Sequence, residues 1–205
     1  MTVTTGANKK TKKEKKKKTV LQEIVGFVFD LLVVFALFMV ITTFVAEPVW
    51  VKGTSMTNTL QNNELLLVSK RAYGEGTKGM ERGDIVICRY PGRTDFTIPL
   101  GANLSITRHT AFVKRLVALP GDTIEFAGGN LYVNGEMVPN PEKMGSIPYD
   151  YPLRQLGANE YFVVGDNRRT SHDSRASDVG PISRDMIMGK AVRVIFPFSA
   201  WRKVQ

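Results

Sequence analysis

The chain carries one cysteine, Cys88, and two histidines, His109 and His172, among its 205 residues. A lone thiol excludes an internal disulfide, and one cysteine with two histidines is too small a donor set for an ordinary structural zinc site. The fold must therefore rest on an apolar core, for which the 43% hydrophobic content suffices in one domain with appendages. Cys88 lies in Ile85-Val86-Ile87-Cys88, a setting that assigns it to buried packing rather than reactivity. Acidic residues are in short supply too, 19 against 28 Lys and Arg, which gives a formal charge of +9. The excess is local. Met1–Lys18 holds eight lysines and one glutamate, so only +2 remains elsewhere, and the balance argues against a nucleic-acid partner. There is no internal repeat and no second long apolar run.

The one long apolar run, Ile24–Val45, is broken by a single formal charge, Asp30, and its 22 residues cover a bilayer core of about 30 Å at 1.5 Å per residue. It is too long for the apolar region of a cleaved leader, and no small-x-small cleavage site precedes Glu47-Pro48. The lysine run before it and the want of a basic cluster after it orient the segment by the positive-inside rule. The expected organisation is a basic cytoplasmic tail over 1–23, a transmembrane anchor over 24–46 and an extracytoplasmic domain over 47–205. Asp30, near the inner end, is expected to snorkel.

Beyond the anchor, short apolar or alternating runs are separated by Gly, Pro and Asn: Glu64–Ser69, Asp84–Tyr90, Thr110–Leu119, Thr123–Phe126, Leu131–Val133, Glu160–Val164 and Lys190–Phe196. This pattern predicts a mostly β domain with antiparallel sheet. Gly128-Gly129-Asn130 and Asn134-Gly135 supply residues that tolerate positive φ where tight hairpins demand them. Ala72–Arg82, Gly92–Thr107 and Pro139–Pro152 read as loops, and Thr57–Asn63 as a short helical turn.

Gly53-Thr54-Ser55-Met56 places a serine beside glycine soon after the apolar run ends. Such a triplet is ordinarily a turn, and a serine hydroxyl is a poor nucleophile until a base removes its proton. Two bases compete. In Ser171-His172-Asp173 the serine and aspartate share one face of an extended segment while His172 points oppositely, which fits a Ser-His-Asp triad poorly. Lys114 lies in Ala111-Phe112-Val113-Lys114-Arg115-Leu116-Val117, a run apolar enough to desolvate an ammonium and lower its pKa from about 10.4. An exposed strand lysine is the competing reading.

Three segments in order resemble the type I signal peptidase family, membrane-bound Ser/Lys endopeptidases that remove signal peptides from exported proteins. Gly53-Thr54-Ser55-Met56-Thr57-Asn58-Thr59-Leu60 resembles the serine box, Val113-Lys114-Arg115-Leu116-Val117-Ala118-Leu119-Pro120-Gly121-Asp122 the lysine box, and the run from Gly165 to Arg175, with Asp166, Ser171 and Asp173, the C-terminal box. The resemblance implies Ser55 as nucleophile, Lys114 as general base and Ser171 as a hydrogen-bonding orienter of the lysine. It also implies that Asp173 and Arg175 support the site, with Asp166 paired to Arg175. No metal or cofactor is required. The expected partners are signal peptides of exported preproteins, cut after small residues in an Ala-x-Ala-like pattern, and the lipid bilayer; the secretion translocon stays open as a further one. A single anchor with a compact domain resembles the Gram-positive members.

The chain departs from the family pattern in three places. Asn58 stands where a proline is usual, Ala118 replaces a frequent glycine, and Gly53 occupies a position where some members carry a serine that helps hold the oxyanion. With no hydroxyl at Gly53, the oxyanion would depend on the Ser55 backbone N–H and a neighbouring donor, and a serine at 53 is expected to be tolerated. Substrate is expected to add as a strand between the segment leading into Ser55 and the strand carrying Lys114. Trp50 is read either as an interfacial anchor or as a core residue. Two other classes stand beside the peptidase reading: a self-cleaving Ser/Lys repressor-like protease, and a catalytically inactive anchored relative that binds exported chains.

Overall fold

The computed structural model describes residues 19–74, 77–99, 105–139 and 149–204. The lysine-rich stretch 1–18 of the expected cytoplasmic tail lies outside the described residues, as do parts of three expected loops, 75–76, 100–104 and 140–148.

Helix α1 spans Val20–Phe44. Thr19 and Gln22 begin it as half of a capping box, with the Thr19 N–H donating to Gln22 Oε1 at 3.2 Å. The helix is long and apolar enough to cross a membrane. At its far end the Lys70 ammonium donates to the Thr42 carbonyl at 2.8 Å and pairs with Glu47 at 2.6 Å. A cation is thus set where the last carbonyls of a helix need donors.

The rest is antiparallel sheet, as the alternating runs predict. One sheet follows the order β1 (Ala46–Trp50), β2 (Leu65–Ser69), β10 (Ile187–Phe196), β3 (Ile85–Pro99), β4 (Ser105–Ala118) and β9 (Phe162–Val164), with β11 (Arg202–Lys203) against β10. A smaller sheet has the order β7 (Glu136–Val138), β6 (Asn130–Val133), β5 (Thr123–Ala127) and β8 (Tyr151–Gln155). Its two tight hairpins turn on Gly128-Gly129, at φ 55° and 81°, and on Asn134-Gly135, at φ 54° and 78°. Both residues of a type I′ turn need φ > 0, so the expected turn chemistry is what closes these hairpins.

The first part of strand β3, Ile85–Cys88, is buried on both faces. Ile85 and Ile87 join one apolar cluster with Val51, Met56, Leu60, Leu66 and Val194, whereas Val86 and Cys88 join another with Leu116, Tyr161 and Ile182. Cys88 is fully buried, as its apolar run implies. A third cluster packs Ile124, Phe126 and Leu131 of the small sheet onto Phe162 and Val164.

Three stretches differ from expectation. Glu47–Trp50 forms part of an edge strand; Trp50 is about half exposed, edge-on to Phe196, and is not a core residue. Most of the Gly92–Thr107 loop is strand, because β3 and β4 pair on as far as Pro99 and Ser105. Tyr151-Pro152, the end of the expected proline-punctuated excursion, opens strand β8, which pairs with β5, and Pro152 is tolerated there on an edge strand.

Candidate active site

Ser55 sits in a succession of tight turns between β1 and β2. Thr57 N–H donates to the Thr54 carbonyl at 3.2 Å, and Thr59 and Leu60 N–H donate to the Met56 carbonyl at 2.8 and 2.7 Å. The expected helical turn over Thr57–Asn63 is thus a run of turns, and Asn63 leaves it at φ 66°. Met56 and Leu60, almost fully buried, plug the underside of the turn into the core. Burying each contributes roughly 1.5–3 kcal/mol.

The upper side of the turn is stitched to the segment after β9. Asn167 N–H donates to the Ser55 carbonyl at 2.9 Å, and Asn167 Nδ2 to the Thr54 carbonyl at 3.1 Å. Asn58 Nδ2 donates to the Asp166 carbonyl at 3.0 Å, Thr59 Oγ1 to the Asp166 carboxylate at 2.5 Å, and the Asp166 N–H to Met56 Sδ at 3.4 Å. Gly165 lies between the two segments. A Cβ built on it would fall 2.1 Å from Ser171 Oγ and 2.5 Å from the Ser55 carbonyl oxygen, so no side chain fits.

Lys114 reaches Ser55 from β4, with Nζ 2.7 Å from Oγ. The lysine is only 3% exposed, and its ammonium lies 5.3 Å from the centre of the Phe112 ring. Burial lowers its pKa from 10.5 to about 8 against the opposing pull of Asp173. At that value a usable fraction of the lysine is neutral near physiological pH, as a proton acceptor must be.

The support residues divide differently from the expected pairing. Asp166 does not pair with Arg175: its carboxylate is held by Arg115, whose Nε and Nη2 donate at 2.7 Å each. Arg175 instead grips Asp173 through Nε at 2.8 Å and Nη2 at 2.9 Å, both side chains being fully buried. The neighbouring carboxylate wins because Arg175 lies two residues from Asp173 on one tight loop, whereas Arg115 reaches Asp166 across the β4–β9 pairing. Burial alone would raise the Asp173 carboxyl, but Arg175 and the Gly165 N–H, which donates to it at 2.9 Å, hold it below the usual range. Ser171 is buried beside Gly165, and among the described residues its Oγ has no hydrogen-bond partner, Lys114 included. The lysine is instead oriented by Ser55 and by the Phe112 ring.

His172 turns away, as the extended alternation implies. At the surface it stacks on Tyr90 at 6.0 Å, and its Nε2 lies 3.0 Å from Asp178. Gly53 adopts φ 92° and donates its N–H to Asn62 Oδ1 at 3.0 Å. Glycine there answers a backbone demand as well as leaving a hydroxyl absent, so a serine at 53 would sit in a strained conformation. Arg115, Thr59, Asn167 and Gly165 were in the matched segments without a role. Arg115 adjoins the lysine in sequence, and that adjacency is the one signal that pointed to it.

A cavity of about 690 Å³ runs past the Ser55–Lys114 pair. One wall is Glu47–Gly53, the other Thr110–Lys114, with Met56, Ile87 and Met188 at the floor. On the wall formed by β4, strand β9 pairs only from Arg115 onward, so the edge of 110–114 carries no strand on that side among the described residues.

Comparison with known proteins gives a consistent picture. A family model described as signal peptidase, peptidase S26, matches residues 24–196. Signal peptidase I T of Bacillus subtilis is 35% identical, covering 97% of this chain and 97% of that protein. Signal peptidase I P of Bacillus subtilis subsp. natto is 34% identical over 96% and 99%. Signal peptidase IB of Staphylococcus aureus is 30% identical over 88% and 94%. Among solved structures, a signal peptidase I from Enterococcus faecalis is 23% identical, covering 55% of this chain and 96% of that one, with a TM-score of 0.42.

Proposed function

The chain belongs to the signal peptidase family, peptidase S26, and from that membership, which makes it a peptidase, we propose that it is a Ser/Lys endopeptidase that cleaves signal peptides from exported preproteins after small residues. The observation that carries the mechanism is the 2.7 Å approach of a buried, pKa-lowered Lys114 to Ser55. Neutral Lys114 takes the Ser55 proton as Oγ attacks the scissile carbonyl. The tetrahedral oxyanion is met by the Ser55 backbone N–H, which donates to no other group among the described residues. Collapse breaks the peptide bond, the new amine takes the proton from Lys114, and the signal peptide stays as an ester on Ser55. Water, deprotonated by the same lysine, then hydrolyses that ester.

Substrate enters as an extended strand between the wall ending at Gly53 and the open edge of β4, where backbone hydrogen bonds are on offer and small side chains meet an apolar floor. The apolar helix serves as a single-pass anchor, with the basic tail in the cytoplasm and residues 47–205 outside, beside the lipid bilayer and within reach of the translocon. Incubating the detergent-solubilised full chain with a preprotein and with a serine-acylating probe tests this reading. Release of the mature chain and modification at Ser55, both lost in Ser55→Ala, are expected. An unmodified Ser55 with no cleavage would leave only a binding role.

A further inference from the structure

The turn that carries Ser55 has two sides held by different forces. Met56 and Leu60 fix its underside by burial, whereas on the upper side Thr54, Ser55, Asn58 and Thr59 are tied to Asp166 and Asn167 by hydrogen bonds, and Arg202 Nη2 donates to the Thr59 carbonyl at 2.8 Å. Asp166 is a meeting point. From one direction Asn58 holds its carbonyl and Thr59 its carboxylate; from the other, Arg115 holds the same carboxylate from the residue next to Lys114. The nucleophile and the base therefore reach a common reference through side chains, while the backbone path between them runs from residue 55 to residue 114.

Asn58 is the tie whose removal would disturb least else. Its side chain is exposed and fills no core volume, and its backbone N–H donates to no carbonyl among the described residues. What its carboxamide supplies is the bond to the Asp166 carbonyl at 3.0 Å. Resting on the Ser/Lys reading above, we propose that Asn58 is a positioning residue: its amide keeps the nucleophile turn in register with β4, so that Ser55 Oγ stays at proton-transfer distance from Lys114. Proton transfer depends steeply on such a distance, and small misplacements of reacting groups lower rates far more than they lower stability.

The test compares the full chain in detergent with Asn58→Ala and with Asn58→Asp, in which an oxygen replaces the donor facing the Asp166 carbonyl. Each is assayed on a peptide spanning a signal-peptide cleavage site, with active sites counted by an acylating probe. Turnover per titrated site should fall about tenfold in Asn58→Ala, the worth of one hydrogen bond, and at least as far in Asn58→Asp. KM, read on the cavity walls that Asn58 does not line, should stay within about twofold, and the melting temperature within a few degrees. Wild-type turnover per site in both variants would overturn the proposal. So would a loss accounted for wholly by fewer titratable sites, the mark of a merely structural role. If the unmodified chain neither cleaves nor is acylated, it is the Ser/Lys reading that falls; if it cleaves and the Asn58 variants match it, only the role of Asn58 does.

Discussion

Arg115 holds Asp166 with two hydrogen bonds of 2.7 Å each, one residue along β4 from the lysine that faces Ser55. The pair is almost wholly desolvated, the arginine side chain being 12% exposed and the aspartate 0%. Removing one partner of such a pair strands the other. Asp166→Asn should therefore destabilise the domain by roughly 3 kcal/mol, as read by urea unfolding. It should also reduce turnover more than its stability loss accounts for, since Thr59 and Arg115 lose their common acceptor.

The identity of the base is tested by substitution at Lys114. Arginine keeps its charge at any workable pH, so Lys114→Arg should abolish cleavage although length and charge are nearly retained. Lys114→Met should be folded and inactive, whereas His172→Ala should retain turnover because that ring is engaged with Asp178 and Tyr90 at the surface. In the unmodified enzyme kcat/KM should rise with pH along a limb with its midpoint near pH 8, the value to which burial brings the lysine, and level off above it. A limb near pH 6.5, or near-normal activity in Lys114→Arg, would remove the lysine from this role.

Gly165→Ala should be severe. Its methyl group would have to share space with Ser171 Oγ at 2.1 Å and with the Ser55 carbonyl at 2.5 Å, so the nucleophile turn must lift. A shift of about 1 Å is enough to cost about 100-fold in kcat. Circular dichroism and a kcat measurement together separate this from global unfolding.

Gly53 is a milder case with a different cause. A Cβ there meets nothing within 4 Å, but φ is 92°, a conformation side chains resist. Gly53→Ser and Gly53→Ala should each destabilise the domain by about 1–2 kcal/mol in thermal or urea unfolding. If serine alone restored or raised turnover over alanine, its hydroxyl would be contributing to the oxyanion.

The proposed topology is read out by protease added to intact cells. Residues beyond Glu47 should be degraded and the lysine-rich tail spared; protection of the domain would reverse the orientation.

What the sequence made legible, and what it hid, follow a physical division. Strand periodicity and the Gly128-Gly129 and Asn134-Gly135 turns are local signals, and the small sheet closes where they indicate. The burial of Lys114 was legible because it stands in an apolar run of β4. The pairing of Arg115 with Asp166 and of Arg175 with Asp173 was not, because a sequence lists charges without saying which tertiary contact brings two together. Asn58 was legible only as a departure. Its tie to Asp166 joins residues 108 positions apart, and no local pattern encodes that. The edge strands β1 and β8 were missed because each contains a proline, Pro48 and Pro152, which demotes a run that an edge position nevertheless tolerates.

The burial of Lys114 also ties the enzyme's readiness to the solidity of its fold. Its pKa is lower folded than unfolded, about 8 against 10.5, so between those values the unfolded chain binds more protons and stability climbs with pH. Below about pH 8 the native lysine takes up its proton as well, and the enzyme then carries a buried charge worth roughly 3 kcal/mol against folding. A fall in pH toward 8 thus loosens the fold first, and a further fall idles the proposed base with no additional loss of stability from this group. An activated site and a stable scaffold are therefore favoured by the same direction of pH, in adjoining ranges around and above pH 8.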